Sequence, residues 1–192
     1  LRFGHDFNQE VNCLPLNIIE LEFGFKFNQS VDYLPSNIKR LKFDTNFNQS
    51  VDNLPSSIVE LEFGWYFNQK VNNLPPRITK LKFSTCFNQS VNNLPPNIIE
   101  LEFGNRFNQC VDCLPSGIKI LLFGYDFNND VSNLPSCITH LQLGHKFKKN
   151  INNLPDSIEY LKTPFEYHKL NQLSNLKKIE IYECYDYLPP EQ

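Results

Sequence analysis

Residues 21–60 read LEFGFKFNQSVDYLPSNIKR followed by LKFDTNFNQSVDNLPSSIVE, and this pair of 20-residue units decides the fold. Leu opens each unit, Phe follows at unit positions 3 and 7, and Leu-Pro stands at positions 14 and 15. A unit of this size cannot bury a core alone, whereas a stack of such units buries one continuous core between its coils. The repeat therefore predicts a solenoid.

The same unit recurs without insertion over residues 1–160, as eight tandem copies. These copies account for a composition of 25 Asn, 17 Phe and 13 Pro with no Ala. Since Ala is the best helix former, its absence counts against a helical protein. The chain also lacks Met, so we expect a fragment or a processed form of a longer product.

Each unit predicts one short strand. The alternation around Leu21 and Phe23 turns these side chains inward and turns Glu20 and Glu22 outward. All units run the same way, so the prediction is a mainly β fold, a right-handed parallel β-solenoid of leucine-rich-repeat-like units. We expect Gly4 and its equivalents to take a positive φ in the bend after the strand.

Residues 161–192 leave the 20-residue register and predict a divergent last turn with an irregular C-terminal cap. The spacing of Leu173, Leu176, Ile179 and Ile181 predicts one more strand after a longer loop. At the other end, Leu1 opens directly on a strand, and an apolar end without a cap favours self-association. We therefore expect that this first turn either follows another domain or pairs with a second chain.

The string F-N-Q-x-V-x-x-L-P-x-x-I-x-x-L-x-F-G resembles the FNIP repeat, which is related to leucine-rich repeats, with Val11 where the family name has Ile. The resemblance covers residues 1–163. It implies a binding scaffold, often placed behind an N-terminal F-box in proteins of amoeboid protists and giant DNA viruses. No residues here match an F-box.

The outward strand positions alternate in charge from one unit to the next. Acidic and basic pairs follow each other in the order Glu20/Glu22, Arg40/Lys42, Glu60/Glu62, Lys80/Lys82 and Glu100/Glu102. In a parallel stack these side chains are direct neighbours, and opposite charges in register stabilise the sheet by about 0.2–1 kcal/mol per pair. We interpret the alternation as a charge ladder that fixes the register.

The charge ladder stops after Glu102, and exposed apolar or aromatic side chains on a sheet face are typical of a partner site. Further aromatic side chains occur just after the strands, at unit positions 5 and 6. Covering of the solenoid edge is the alternative interpretation. The candidate partner-binding residues are Ile120, Leu122, Tyr125, His140, Tyr160, Trp65, Tyr66 and Phe25.

Other classes of function find little support in the sequence. No nucleotide-binding or hydrolase motif occurs, so we expect no enzyme, no catalytic residues and no cofactor. Cys110 and Cys113 have the spacing of metal ligands but lack a second ligand pair, so free thiols in a reducing compartment are expected. The net charge of −3 and the alternating ladder argue against nucleic acid, and no apolar run is long enough for a membrane span.

Together these patterns predict a protein-interaction scaffold inside the cell, in the cytoplasm, or in the host cytoplasm for a viral protein. The resemblance implies that the scaffold is the substrate-recognition arm of an F-box ubiquitin-ligase adaptor. The alternative is a structural protein that self-associates through its first turn.

Overall fold

A computed structural model of the chain describes residues 1–164 and 173–182. Within them the chain forms one parallel sheet in which every strand pairs with the next strand along the sequence. The short strands recur every 20 residues up to β8, as the repeat predicts. They are β1 Glu20–Glu22, β2 Arg40–Lys42, β3 Glu60–Glu62, β4 Lys80–Lys82, β5 Glu100–Glu102, β6 Ile120–Leu122, β7 His140–Gln142, β8 Tyr160–Thr163 and β9 Lys178–Ile181.

The predicted parallel β-solenoid is confirmed, and so is the direction of its side chains. Leu21 and Phe23 are buried, whereas Glu20 is exposed and Glu22 half-buried. Pairing joins equal unit positions, so that Leu21 lies beside Leu41. The buried Leu, Phe, Val and Ile columns form one continuous core along the stack. The described part contains no helix, in keeping with the Leu-Pro step in every unit.

Two stacked columns of Phe rings fill the middle of this core. In one coil the ring centres of Phe63 and Phe67 are 3.7 Å apart. Between coils, Phe63 lies 5.5 Å from Phe83, and Phe67 lies 6.1 Å from Phe87. Because each ring touches rings of its own coil and of the next, the core is continuous rather than a series of separate clusters.

Asn at unit position 8 joins successive coils outside the strands. The backbone N–H of Asn88 donates to Asn68 Oδ1 at 2.9 Å, and the N–H of Asn68 donates in the same way to Asn48 Oδ1. The backbone N–H of Lys148 ends the series by donating to Asn128 Oδ1. In a turn without a regular ladder, these amide oxygens satisfy backbone donors that would otherwise lack a partner. We call this column the Asn ladder.

The glycines after the strands require a different explanation from the expected one. No described residue has a positive φ, so the prediction for Gly4 and its equivalents was wrong. Close stacking explains most of these positions instead, because a Cβ on Gly64 would lie 2.1 Å from the Asp44 carbonyl oxygen. A Cβ on Gly4 would meet nothing within 4 Å, because no earlier coil lies beside it.

The two ends of the described stack differ. At the first turn, Arg2 pairs with Glu22 through an isolated bridge, and Leu1 is 54% exposed. At the other end, the predicted additional strand is confirmed as β9, which pairs with β8 and places Ile179 beside Leu161. The proposed cap after this strand lies outside the described residues.

Candidate partner-binding surface

The charge ladder occupies the outward face of β1–β5, where the strand register brings opposite charges together. Lys42 pairs with Glu62 at 3.0 Å, and Lys80 pairs with Glu100 at 2.7 Å. Arg40 also forms an ion pair with Glu20. The hydrogen bond to Glu100 is the main cause that raises the pKa of Lys80. Because these side chains are about half exposed, each pair contributes modestly to stability and mainly favours the correct register.

The chemistry of this face changes at β6. Ile120 lies beside Glu100, and Leu122 lies beside Glu102, so the ladder meets two apolar side chains. Ile120 in turn lies beside His140. Ile120 and Leu122 are half-buried, and His140 is exposed. The structure therefore brings these predicted site residues together on one face of β6 and β7.

Aromatic stacking continues the same row into β8. The ring centres of His140 and Tyr160 are 5.7 Å apart, and the Tyr160 hydroxyl donates to Glu180 Oε2 at 2.5 Å. Lys178 Nζ lies 5.3 Å from the centre of the Tyr160 ring. Burial, helped by the hydrogen bond to Glu180, raises the pKa of Tyr160 to about 12. The hydrogen bond from Lys178 is the main cause that lowers the pKa of Glu180, and the bond from Tyr160 adds to it.

We define the sheet patch as Ile120, Leu122, His140 and Tyr160 on the outward face of β6–β8. Tyr125 follows three residues after Leu122 and stacks on His145, with ring centres 5.0 Å apart. Lys146 Nζ lies 5.3 Å from the centre of the Tyr125 ring. This predicted residue thus lies at the edge of the sheet patch, in the bend that follows β6.

The other predicted aromatic residues do not join the sheet patch. Phe25 stacks on His5 in the first coils, with ring centres 4.8 Å apart. Trp65 and Tyr66 lie in the bend after β3 and are 39% and 54% exposed. The bend after β3 is three coils away from the bend after β6, so these residues form a separate aromatic edge rather than one site with Tyr125.

Several exposed or buried residues were not predicted from the sequence. Leu16 and Tyr33 are 74% and 72% exposed, although they are large apolar side chains in turns. Tyr33 could have been recognised from the sequence, because it stands at a unit position that is otherwise mainly Asn. Tyr182 was also missed, and it is buried with its hydroxyl donating to the Leu143 carbonyl. Nothing in the repeat could predict this contact, because Tyr182 lies beyond the periodic segment.

The cysteines of the described part are unpaired, and most of them lie at the surface. The thiol of Cys110 contacts Asp112 Oδ2 at 3.1 Å. Over residues 1–164 and 173–182, no group of three or more His, Cys, Asp or Glu side chains has an arrangement that would hold a metal ion. In the same ranges, no helical segment has the length and hydrophobicity that a membrane crossing requires.

Comparison with known proteins adds two findings. A model of the FNIP repeat family matches residues 27–66, 50–86, 87–126 and 130–162. Among solved structures, the chain is similar to CroV588, a giant-virus protein described as "a novel circular LRR protein structure", where LRR stands for leucine-rich repeat. That match has 36% identity and a TM-score of 0.86, and it covers 97% of this chain and 30% of CroV588. No curated protein sequence matches the chain.

Proposed function

The chain belongs to the FNIP repeat family, and from this premise we propose that it is a protein-interaction scaffold that binds a partner protein through the sheet patch. The observation that carries the proposal is the change of chemistry along one face. Paired charges cover β1–β5, whereas Ile120 and Leu122 interrupt them on β6. Half-buried apolar side chains beside exposed polar ones are typical of the centre and rim of an interface.

The arrangement of the sheet patch favours recognition of a folded protein or an extended segment over chemistry. The parallel register of β6–β8 fixes the positions of the side chains in the sheet patch. Because these side chains are held in place before a partner binds, the entropy cost of binding is lower. Tyr160 and His140 are stacked, and Tyr and other aromatic residues are enriched among the residues that dominate binding energy. Tyr125 extends the patch toward the bend.

Site-specific photocrosslinking tests this proposal. A benzophenone amino acid replaces Leu122 in one variant and Glu62 in a control variant, which occupies the same unit position in the charge ladder. We expect a defined adduct from host-cell extract only with the probe at 122, followed by direct binding of the purified partner. Equal labelling from both positions, or no adduct from position 122, would contradict the proposal.

The family membership supports a narrower version, in which the scaffold is the substrate-recognition arm of an F-box ubiquitin-ligase adaptor. In that version, the partner bound at the sheet patch is the protein to be ubiquitinated. Reading the coding sequence upstream of Leu1 tests it. An F-box there supports the adaptor role, and its absence rejects this narrower version while leaving the scaffold proposal intact.

Placement in the cytoplasm of the cell, or of the host, belongs to the same proposal. The unpaired thiols of the described cysteines fit a reducing compartment. Fractionation of cells that produce a tagged form of the protein checks this placement. Recovery with secreted proteins would contradict it.

Self-association is the second candidate, and the first turn favours it. Phe3 and Phe7 are only partly buried there, whereas their equivalents in the next coils are fully buried. Leu1 is also exposed, so this face presents apolar surface to a further coil. Sedimentation of the 192-residue chain over a range of concentrations tests the candidate, and a monomer at every concentration rejects it.

A further inference from the structure

The bend after the strands contains a gap in its row of large side chains. At unit position 5, Trp65 and Tyr125 enclose two smaller polar residues, Thr85 and Asn105. Backbone hydrogen bonds place the four residues in successive coils, since each position-5 carbonyl accepts from the next coil. With strands about 4.8 Å apart, Trp65 and Tyr125 lie about 14 Å apart along the stack. Two coils without a ring therefore leave a notch between two aromatic side chains.

An open cavity of about 310 Å³ lies along these two coils, at Thr85 and Asn105, and its lining includes neither Trp65 nor Tyr125. Besides Thr85 and Asn105, its lining includes Lys82, Glu102 and Gln142. These side chains supply both hydrogen-bond donors and acceptors. Lys82 and Glu102 pair at 3.0 Å, so their charges balance each other. The cavity is thus polar but carries no net charge from this pair.

The backbone contributes further donors to the same cavity. The amide N–H groups of Ser84, Thr85, Gly104, Asn105 and Gly124 have no hydrogen-bond acceptor among the described residues. A ligand with several oxygen atoms could therefore meet donors from three successive coils, an arrangement that side chains alone would not provide.

We propose that this notch, which we call the polar notch, binds a neutral carbohydrate of one or two rings. Sugar hydroxyls both donate and accept, so they match a lining that offers Asn, Gln, Lys, Glu and backbone N–H groups together. The balanced Lys82–Glu102 pair disfavours a phosphate, which requires excess positive charge. The volume lies at the small end of the range for ligand pockets, as a ligand of this size requires.

One exposed aromatic side chain lies in the coil next to the cavity. Trp65 precedes Thr85 by one coil and is 39% exposed, although its ring does not line the cavity. Leu122 belongs both to the polar notch and to the sheet patch, so the two surfaces adjoin each other on β6.

A titration of the intact chain tests this assignment, because Trp65 is its single tryptophan. The probes are maltose, cellobiose, chitobiose and lactose, followed by Trp fluorescence and by isothermal titration calorimetry. We expect saturable binding of at least one disaccharide by calorimetry. No saturable binding of any of the four sugars, or tighter binding of inorganic phosphate, would overturn the proposal.

Two matched variants locate the site. Thr85→Tyr fills the polar notch with a ring of the kind that the same column accepts at Phe25 and Trp65, so we expect affinity to fall at least about tenfold. Thr45→Tyr places the same ring on the other side of Trp65, outside the cavity, and we expect affinity within about twofold of the parent chain. Asn105→Ala, which removes one polar group without adding bulk, serves if Thr85→Tyr does not fold. Equal losses in Thr85→Tyr and Thr45→Tyr, or an unchanged affinity in both Thr85→Tyr and Asn105→Ala, would overturn the assignment.

Discussion

The Asn ladder gives the sharpest test of how the coils are held together. Asn68 Oδ1 accepts the backbone N–H of Asn88 at 2.9 Å and the side-chain amide of Gln89 at 3.2 Å. Replacement of Asn68 by Ala removes this one oxygen and with it both hydrogen bonds, whereas the backbone N–H of residue 68 still donates to Asn48 Oδ1. The substitution therefore tests the contact between two coils and not the contact on the other side.

The expected loss follows from these two contacts. A backbone donor left without a partner costs about 1–3 kcal/mol when buried, and a side-chain hydrogen bond contributes about 0.5–1.5 kcal/mol. Asn88 is exposed, so water recovers part of the first cost. We expect Asn68→Ala to lower the free energy of unfolding by about 1–3 kcal/mol.

Asn72→Ala is the matched control, because Asn72 is an exposed Asn in the same unit and has no described hydrogen bond. Urea unfolding followed by circular dichroism gives the stability of each variant, and hydrogen exchange gives the protection of the Asn88 amide. We expect loss of stability and of Asn88 protection in Asn68→Ala only. If the two variants unfold at the same urea concentration and keep the same protection, the ladder does not stabilise the stack.

Three further predictions concern the charge ladder, the coil spacing and the sheet patch. Lys42→Glu replaces an ion pair with Glu62 by like charges in register, so stability should fall by about 1 kcal/mol, and by less in high salt; equal losses at low and high salt in urea unfolding would contradict this. Gly64→Ala should lower the melting temperature, because its Cβ would overlap the Asp44 carbonyl oxygen. Gly4→Ala should leave the melting temperature unchanged, because a Cβ there meets nothing within 4 Å. Equal effects of the two substitutions would contradict close stacking as the cause. The pKa of Tyr160 is raised to about 12, so its contribution to stability is complete below pH 10, the ordinary value, and falls as pH rises toward 12. Urea unfolding of the parent chain and of Tyr160→Phe between pH 10 and pH 12 checks this, and the prediction fails if both lose stability equally over this range.

The repeated elements could be predicted from the sequence because each position recurs in the same environment. Leu21 and Phe23 alternate with Glu20 and Glu22, and this period of two indicates the strand and its buried face. The charge ladder was predictable for the same reason, since a unit without insertions brings equal positions side by side. The Asn ladder fits the place of Asn68 and its equivalents in a turn without a regular hydrogen-bond ladder, where side chains satisfy backbone groups.

The parts that escaped prediction depend on distances between coils or on segments outside the repeat. Gly64 was expected to provide a positive φ. Instead, glycine is favoured there because the Asp44 carbonyl oxygen of the preceding coil leaves no room for a Cβ atom. A sequence pattern does not reveal such an approach. The eight candidate residues were grouped by chemistry, but Phe25 follows β1 and Trp65 follows β3, several coils away from the sheet patch on β6–β8.

The polar notch was also not predicted from the sequence, although the sequence contains all of its residues. Thr85 and Asn105 are ordinary polar residues, and they line a cavity only because they lie in successive coils beside Ser84 and Gly104. Ser84 belongs to a column that is mainly Gly, and its backbone donor counts only once the three neighbouring coils are in place. Sites formed by neighbouring coils therefore require the spacing of the stack as well as the repeat.

Partner binding at the sheet patch is tested most directly by the affinity of the crosslinked partner for a variant that extends the charge ladder across β6. Ile120→Lys together with Leu122→Lys places cations beside Glu100 and Glu102, so the alternation of charge continues. We expect stability within about 1 kcal/mol of the parent chain and partner affinity at least tenfold lower. Unchanged affinity in this folded variant would contradict the claim that the sheet patch is the partner site.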